Sequence, residues 1–150
     1  VLEVILHLSQ QTDYACRVLI YLALNSEERV SVKSVSEAYD ISLNHLVKVV
    51  HQLGKLGYVL TTRGRGGGIR LAREPEAINL GELIRQMEPN FTIVECFNRE
   101  RNHCPIAGIC GLEVALGDAL EKFFRHLDQL SLADVLHGKS SLKRALKIHS

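Results

Sequence analysis

Two short runs of helical hydrophobic spacing, Val32, Val35 and Ala38 and then Leu43, Leu46, Val47, Val50 and Leu53, are separated only by the turn Tyr39-Asp40-Ile41. Apolar residues recurring every three or four positions mark one buried face per helix. Ser31 and Ser42 stand where side chains cap helix N-termini. Two helices joined so closely read as a helix-turn-helix, whose second helix enters the major groove of DNA. Its other faces carry Asn44, His45, Lys48, His51 and Gln52. Asn44, His45 and Gln52 suit base edges, and the Lys48 ammonium, a point charge, suits phosphate. The same residues would also serve as ordinary solvated helix surface. A preceding helix is expected from Thr12, its cap, with Asp13 in the first turn and Ala15, Val18, Leu19, Leu22 and Ala23 inward.

The segment beyond the second helix favours DNA. Gly57 closes that helix, Tyr58 to Thr62 has strand composition, and Ile69-Arg70-Leu71 is its return partner. Between them Arg63-Gly64-Arg65-Gly66-Gly67-Gly68 forms a flexible hairpin tip with two guanidiniums, the build of a wing reaching for backbone or minor groove. The glycines do not make a nucleotide site: no Gly-Lys-Ser/Thr ending is present, and the run leads into a strand rather than a helix. The formal charge is only +1, yet residues 30–73 hold seven Lys/Arg against two acids, a local +5. That asymmetry suits a phosphate-facing surface. The expected DNA-contacting set is Ser42, Asn44, His45, Lys48, His51, Gln52, Arg63 and Arg65.

Pro75 breaks the chain, and Asn79 to Met87 reads as a short amphipathic helix ending before Pro89. From Leu112, the positions Leu116, Ala119, Leu120, Phe123, Leu127 and Leu130 continue a long amphipathic helix. It serves either an intramolecular core or a crossing with the same helix of a second copy, and DNA reading by paired half-sites about 34 Å apart favours the homodimer and a palindromic operator. Between the two helices lie Cys96, Cys104 and Cys110 in the pattern C-x7-C-x5-C, with His103 beside the middle thiol. No tight C-x2-4-C pair is present, which argues against structural zinc. Three spaced thiolates can wrap a larger iron-sulfur group. Three reduced thiols or a disulfide switch without metal, and a Cys3His zinc site with His103, stay open. Cys16 is expected as a small core residue.

The chain resembles the Rrf family of winged-helix regulators, and within it the nitric-oxide-responsive repressors. The matching segments are TDYACRVLIYLAL (12–24), SLNHLVKVVHQLGKLGYV (42–59), RGRGGGIRL (63–71), INLGELIRQMEP (78–89), VECF (94–97), CPIAGIC (104–110) and SLADVL (131–136). The resemblance implies an iron-sulfur cluster, 4Fe-4S in preference to 2Fe-2S, on Cys96, Cys104 and Cys110. It implies Asp13 as the fourth ligand, donated across a dimer, and nitric oxide as the signal. Read without the family, Asp13 is simply an acid favourably placed near a helix N-terminus. The sister type that regulates iron-sulfur assembly places a histidine shortly after the last cysteine, where Gly111, Leu112 and Glu113 stand here.

The expected fold is mainly α: a winged helix-turn-helix with a two-stranded wing at 9–74, a connecting helix and cysteine-bearing loop at 75–111, a long dimerisation helix at 112–130, and a C-terminal segment at 131–150. With 46% hydrophobic residues the chain can bury one sizeable core. No apolar run approaches bilayer length, and the stretch Val1 to Leu8 carries Glu3 instead of a basic flank, so neither membrane anchor nor signal peptide is expected. The expected location is cytoplasmic, on the nucleoid when DNA is bound. The alternative function is a regulator reading thiol oxidation or iron-sulfur supply. An enzyme is not expected, because no C-x-x-C pair and no nucleophile triad assembles.

Overall fold

The structure, a computed structural model, describes residues 6–149; the N-terminal stretch weighed as a leader falls largely outside them. The first helix, α1 (Gln10–Leu24), begins before Thr12, and its cap is Ser9, whose side chain accepts the Thr12 N–H. Thr12 is fully buried instead, its hydroxyl shared between Ser9 and Glu88. α2 (Val32–Tyr39) is capped by Ser31 as expected, and Asp40 turns the chain at φ 52 into α3 (Leu43–Lys55). Gly57, at φ 77, ends that helix through a 3.1 Å bond from its N–H to Gly54.

The strands β1 (Val59–Thr62) and β2 (Gly68–Leu71) pair antiparallel with Val59 opposite Leu71 and Thr62 opposite Gly68. Tyr58 lies just outside the sheet, fully buried. Val30 adds a bridge to Ile69, with N–H···O bonds of 3.0 and 2.8 Å in the two directions. Gly68 is required there: it sits at φ +145, and a Cβ would lie 2.7 Å from the Val30 carbonyl oxygen.

Ala15, Val18, Leu19 and Leu22 of α1 share one core with Val35 of α2, Leu46, Val49, Val50 and Leu53 of α3, and Ile69. Burying each large aliphatic side chain contributes about 1.5–3 kcal/mol. The apolar stripe of α3 is rotated from the expected one. Val49 is inside, whereas Leu43 and Val47 are 42% and 51% exposed.

After a 3-10 turn at Pro75–Ala77 comes α4 (Leu80–Met87), capped by Asn79, whose side chain accepts the Glu82 N–H. A loop containing the 3-10 turn Glu95–Phe97 leads to α5 (Gly111–Leu127). That helix stops short of Leu130, whose carbonyl accepts the Leu80 N–H at 2.9 Å. Its buried aromatic is Phe124, not Phe123, which is 43% exposed. Phe124 packs edge-to-face with Phe91 and lies under the guanidinium of Arg85, which also forks onto Asp128. Asn79 donates to the Asp128 carbonyl at 2.7 Å, and any Cβ on Gly81 would run into the Asp128 carboxylate. α4 and the end of α5 are thus locked together. A short α6 (Lys139–Ala145), not foreseen in the sequence, lays Leu142 and Leu146 against the core beside α1.

Candidate functional site

Once α3 is pinned by Leu46, Val49, Val50 and Leu53, its opposite face is fixed. Asn44, Lys48 and His51, spaced by four and three residues, run down the middle of that face and are exposed. His45 flanks them on one side, and Leu43 and Val47 on the other. Ser42 caps α3 by position, but its hydroxyl makes no capping hydrogen bond. Gln52 is half-buried and its side-chain oxygen accepts from Gln11 of α1. Leu43 and Val47 are additions to this face, since the hydrophobic pattern alone assigns them to the core.

The wing tip is closed by a 3.0 Å bond from the Gly67 N–H to Gly64, with Gly64 and Gly66 at φ 89 and 67. Arg63 and Arg65 are exposed on it, and Arg70 projects from β2. Lys48, Lys55, Arg63, Arg65 and Arg70 make no ion pair among the described residues. Of the other two cations in the local excess, Lys33 stays on the surface and Arg73 belongs to the fold. Lys33 pairs with Glu37, and Arg73 lies over the Tyr58 ring at 4.7 Å while donating to the Gly57 and Leu56 carbonyls at 3.1 and 3.2 Å.

Cys96 sits in the 3-10 turn, Cys104 directly precedes the turn at 105–109 and accepts the Ala107 N–H at 3.3 Å, and Cys110 caps α5 by position. All three are free thiols, half-buried. Burial pushes the Cys96 thiol above its ordinary value; the Glu113 carboxylate adds to this, and Cys104 and Cys110 contribute in the same direction. Among the described residues no three His, Cys, Asp or Glu side chains are arranged to hold a metal ion as they stand, His103 included. The donor set itself, three soft sulfurs on a loop with Pro105 and Gly108, fits zinc or an iron-sulfur group and not a hard cation.

Asp13 lies on α1, where Arg17 grips it through Nε at 3.2 Å and Nη2 at 2.7 Å. Arg17 is also held near the Tyr14 and Tyr39 rings. Cys16 packs against the core, and burial, with the Asp13 charge adding to it, pushes its thiol up to about 11. It behaves as the core residue expected.

The chain matches the Rrf2 family, described as iron-dependent transcriptional regulators, over residues 8–138. It is 51% identical over 140 residues to the HTH-type transcriptional regulator NsrR of Bacillus licheniformis, covering 93% of this chain and 98% of that protein. The NsrR of Bacillus subtilis is 47% identical over 142 residues, 94% of this chain and 97% of that one. Among solved structures, IscR of T. potens aligns with a TM-score of 0.70 at 27% identity, over 93% of this chain and 90% of the other. CymR, the global cysteine regulator of B. subtilis, aligns with a TM-score of 0.66 at 30% identity, over 87% and 96%. A helix-turn-helix, a glycine-tipped wing and similarity along nearly the whole length lead to one conclusion: the chain belongs to the Rrf2 family of transcriptional regulators.

Proposed function

We propose that the chain is a cytoplasmic, homodimeric repressor that binds a palindromic operator and responds to nitric oxide through an iron-sulfur cluster, 4Fe-4S in preference to 2Fe-2S. Cys96, Cys104 and Cys110 would hold the cluster, with Asp13 of the partner subunit as the fourth ligand. The carrying observation is the position of the thiols: they occupy the one loop between α4 and α5, and Cys110 stands at the N-terminus of α5. Drawing these sulfurs together therefore acts on both helices at once.

Dimerisation is supported by what α5 and the loop leave uncovered. Leu112 and Val114 are each 63% exposed and Ile109 is 85% exposed, all close to the thiols in sequence. Such apolar surface at the start of a long helix is suited to a second copy. No described helix is long and apolar enough to cross a membrane.

The Asp13 role is compatible with its present pairing. The Asp13–Arg17 pair is 45% and 41% exposed, and an ion pair so open to solvent contributes about 0–1 kcal/mol. Exchanging Arg17 for another partner therefore costs little. When bound, an iron-sulfur cluster supplies reactivity toward small diatomic molecules that these side chains lack. The chain's part is to hold the thiolates and to let their spacing set the positions of two recognition helices. A difference in operator affinity of a few kcal/mol between the two arrangements suffices for a switch.

On the DNA side, Asn44, His45 and Gln52 read base edges, Gln52 on leaving its bond with Gln11, Lys48 contacts phosphate, and Ser42 and His51 complete the helix contacts. Arg63 and Arg65 hold the flanking backbone or minor groove. The test is an operator-shift assay on anaerobically prepared protein before and after nitric oxide. Loss of the shifted band is expected; unchanged affinity rejects the switch while the DNA-binding claim stands. Loss with mild oxidant alone, and none with nitric oxide, would move the reading to a thiol sensor.

A further inference from the structure

Two carboxylates close the cysteine loop. Glu95 Oε1 accepts the His103 N–H at 2.6 Å, and Glu113 Oε2 accepts the Gly108 N–H at 2.7 Å. The first bond closes the arm between Cys96 and Cys104. The second acts on the arm between Cys104 and Cys110.

Glu113 reaches all three cysteine segments. Its backbone lies in the first turn of α5, immediately beyond Cys110. Its carboxylate bonds an amide lying between Cys104 and Cys110. It also lines a cleft with Cys96, Phe97 and Phe91, of about 480 Å³. In a capping box, an acid at this helix position turns back to the N–H of the cap residue itself. Here it extends past Cys110 to Gly108, so it is committed to the loop and not to the helix end.

We infer that Glu113 is a positioning residue for the cysteine site, fastening the Cys104–Cys110 arm to the first turn of α5 and so restricting how far that arm moves when the thiols are drawn together by a metal. The inference rests on the metal-binding reading of the same loop. A loop ordered in advance loses less conformational freedom on binding, so the brace raises the affinity and lifetime of whatever the thiolates hold. A carboxylate accepting a backbone N–H makes a stronger bond than a neutral acceptor, which suits Glu113 to this task.

Two variants separate the brace from the charge: Glu113→Gln keeps an acceptor oxygen, and Glu113→Ala removes it. In reduced, metal-free protein, hydrogen exchange at the Gly108 amide is expected to be roughly tenfold faster in Glu113→Ala and near wild type in Glu113→Gln. After anaerobic reconstitution with ferrous iron and sulfide, visible absorption under EDTA is expected to decay several-fold faster in Glu113→Ala, with Glu113→Gln restoring most of the lifetime. Unchanged exchange in Glu113→Ala overturns the brace. Faster exchange with an unchanged decay overturns the positioning role. A wild-type chain that takes up no iron overturns the metal-binding reading and the metal role of Glu113 with it, while the exchange result still decides whether the brace exists.

Discussion

The carboxylate of Glu88 accepts a 2.6 Å hydrogen bond from the Thr12 hydroxyl, tying the residue just past α4 to the first turn of α1. The same carboxylate accepts the Ser9 N–H at 3.0 Å. It thus connects the place where the cysteine loop departs to the turn that carries Asp13. Thr12 is fully buried, so Thr12→Val, nearly equal in shape, removes one hydrogen-bond partner of the half-buried Glu88. Such a loss typically costs about 1–3 kcal/mol. Urea unfolding of Thr12→Val, Glu88→Gln and the double variant is expected to show non-additive losses; strictly additive ones would mean the two side chains do not act as a pair.

The exposed cations and the half-buried Arg73 separate in their salt dependence. Arg65→Ala and Lys48→Ala are each expected to weaken binding on every duplex and to lower the salt slope by about one. Arg73→Ala removes a guanidinium from Tyr58 and from the end of α3, so it is expected to lower the melting temperature and leave the slope unchanged. Affinity titrated against salt for the three variants checks this. An intact slope in Arg65→Ala would show that the wing does not touch the duplex.

The helix-turn-helix and wing are legible in the sequence because local chemistry specifies them: a side-chain cap at Ser31, left-handed glycines at Gly57 and Gly64, and a strand–tip–strand pattern, while Ser42 marks the start of α3 by position alone. The rotation of α3 is not. Val47 and Val49 both border a stripe of helical period, and which one turns inward depends on how α3 meets α1, a tertiary relationship. Arg73 counts with the phosphate-facing charge in the sequence for the same reason, since its place over Tyr58 arises only after folding. Ser9 outcompetes Thr12 as the α1 cap because Glu88, far along the chain, claims the Thr12 hydroxyl. The three cysteines are legible as free thiols on one loop, but Glu113, one acid in a first helical turn, carries no sequence mark of reaching back to Gly108.

The exposed apolar pair on α3 carries its own expectation. Leu43 and Val47 stand exposed beside Asn44 and Lys48 on the face proposed to read DNA, where an aliphatic side chain is suited to the thymine methyl group. Val47→Ser is expected to lower affinity for the operator by about 0.5–1.5 kcal/mol and to reduce discrimination of thymine from uracil at one position, with little change in stability. Competition between thymine- and uracil-substituted duplexes measures this. Equal discrimination in wild type and variant would remove Val47 from base reading.

The Arg85–Asp128 fork predicts a definite pH response. The hydrogen bonds from Arg85, reinforced by its charge, hold the Asp128 carboxyl below its ordinary 3.8. The folded chain then binds fewer protons than the unfolded one between that lowered value and 3.8, so stability rises with pH through this window. Stated from the other side, the contribution is present above the ordinary carboxylate value and is lost as pH falls through the lowered one. Because the pair is 42% and 43% exposed, salt should weaken it. Asp128→Asn removes the titrating group while retaining much of its shape, and is expected to flatten the acid limb of a stability–pH curve at low salt. It should do so together with Arg85→Gln and not additively with it, since each variant breaks the same fork. Identical acid limbs in wild type and Asp128→Asn would show that the α4–α5 junction is held by Asn79, Leu80 and Phe124 alone, without help from this ion pair.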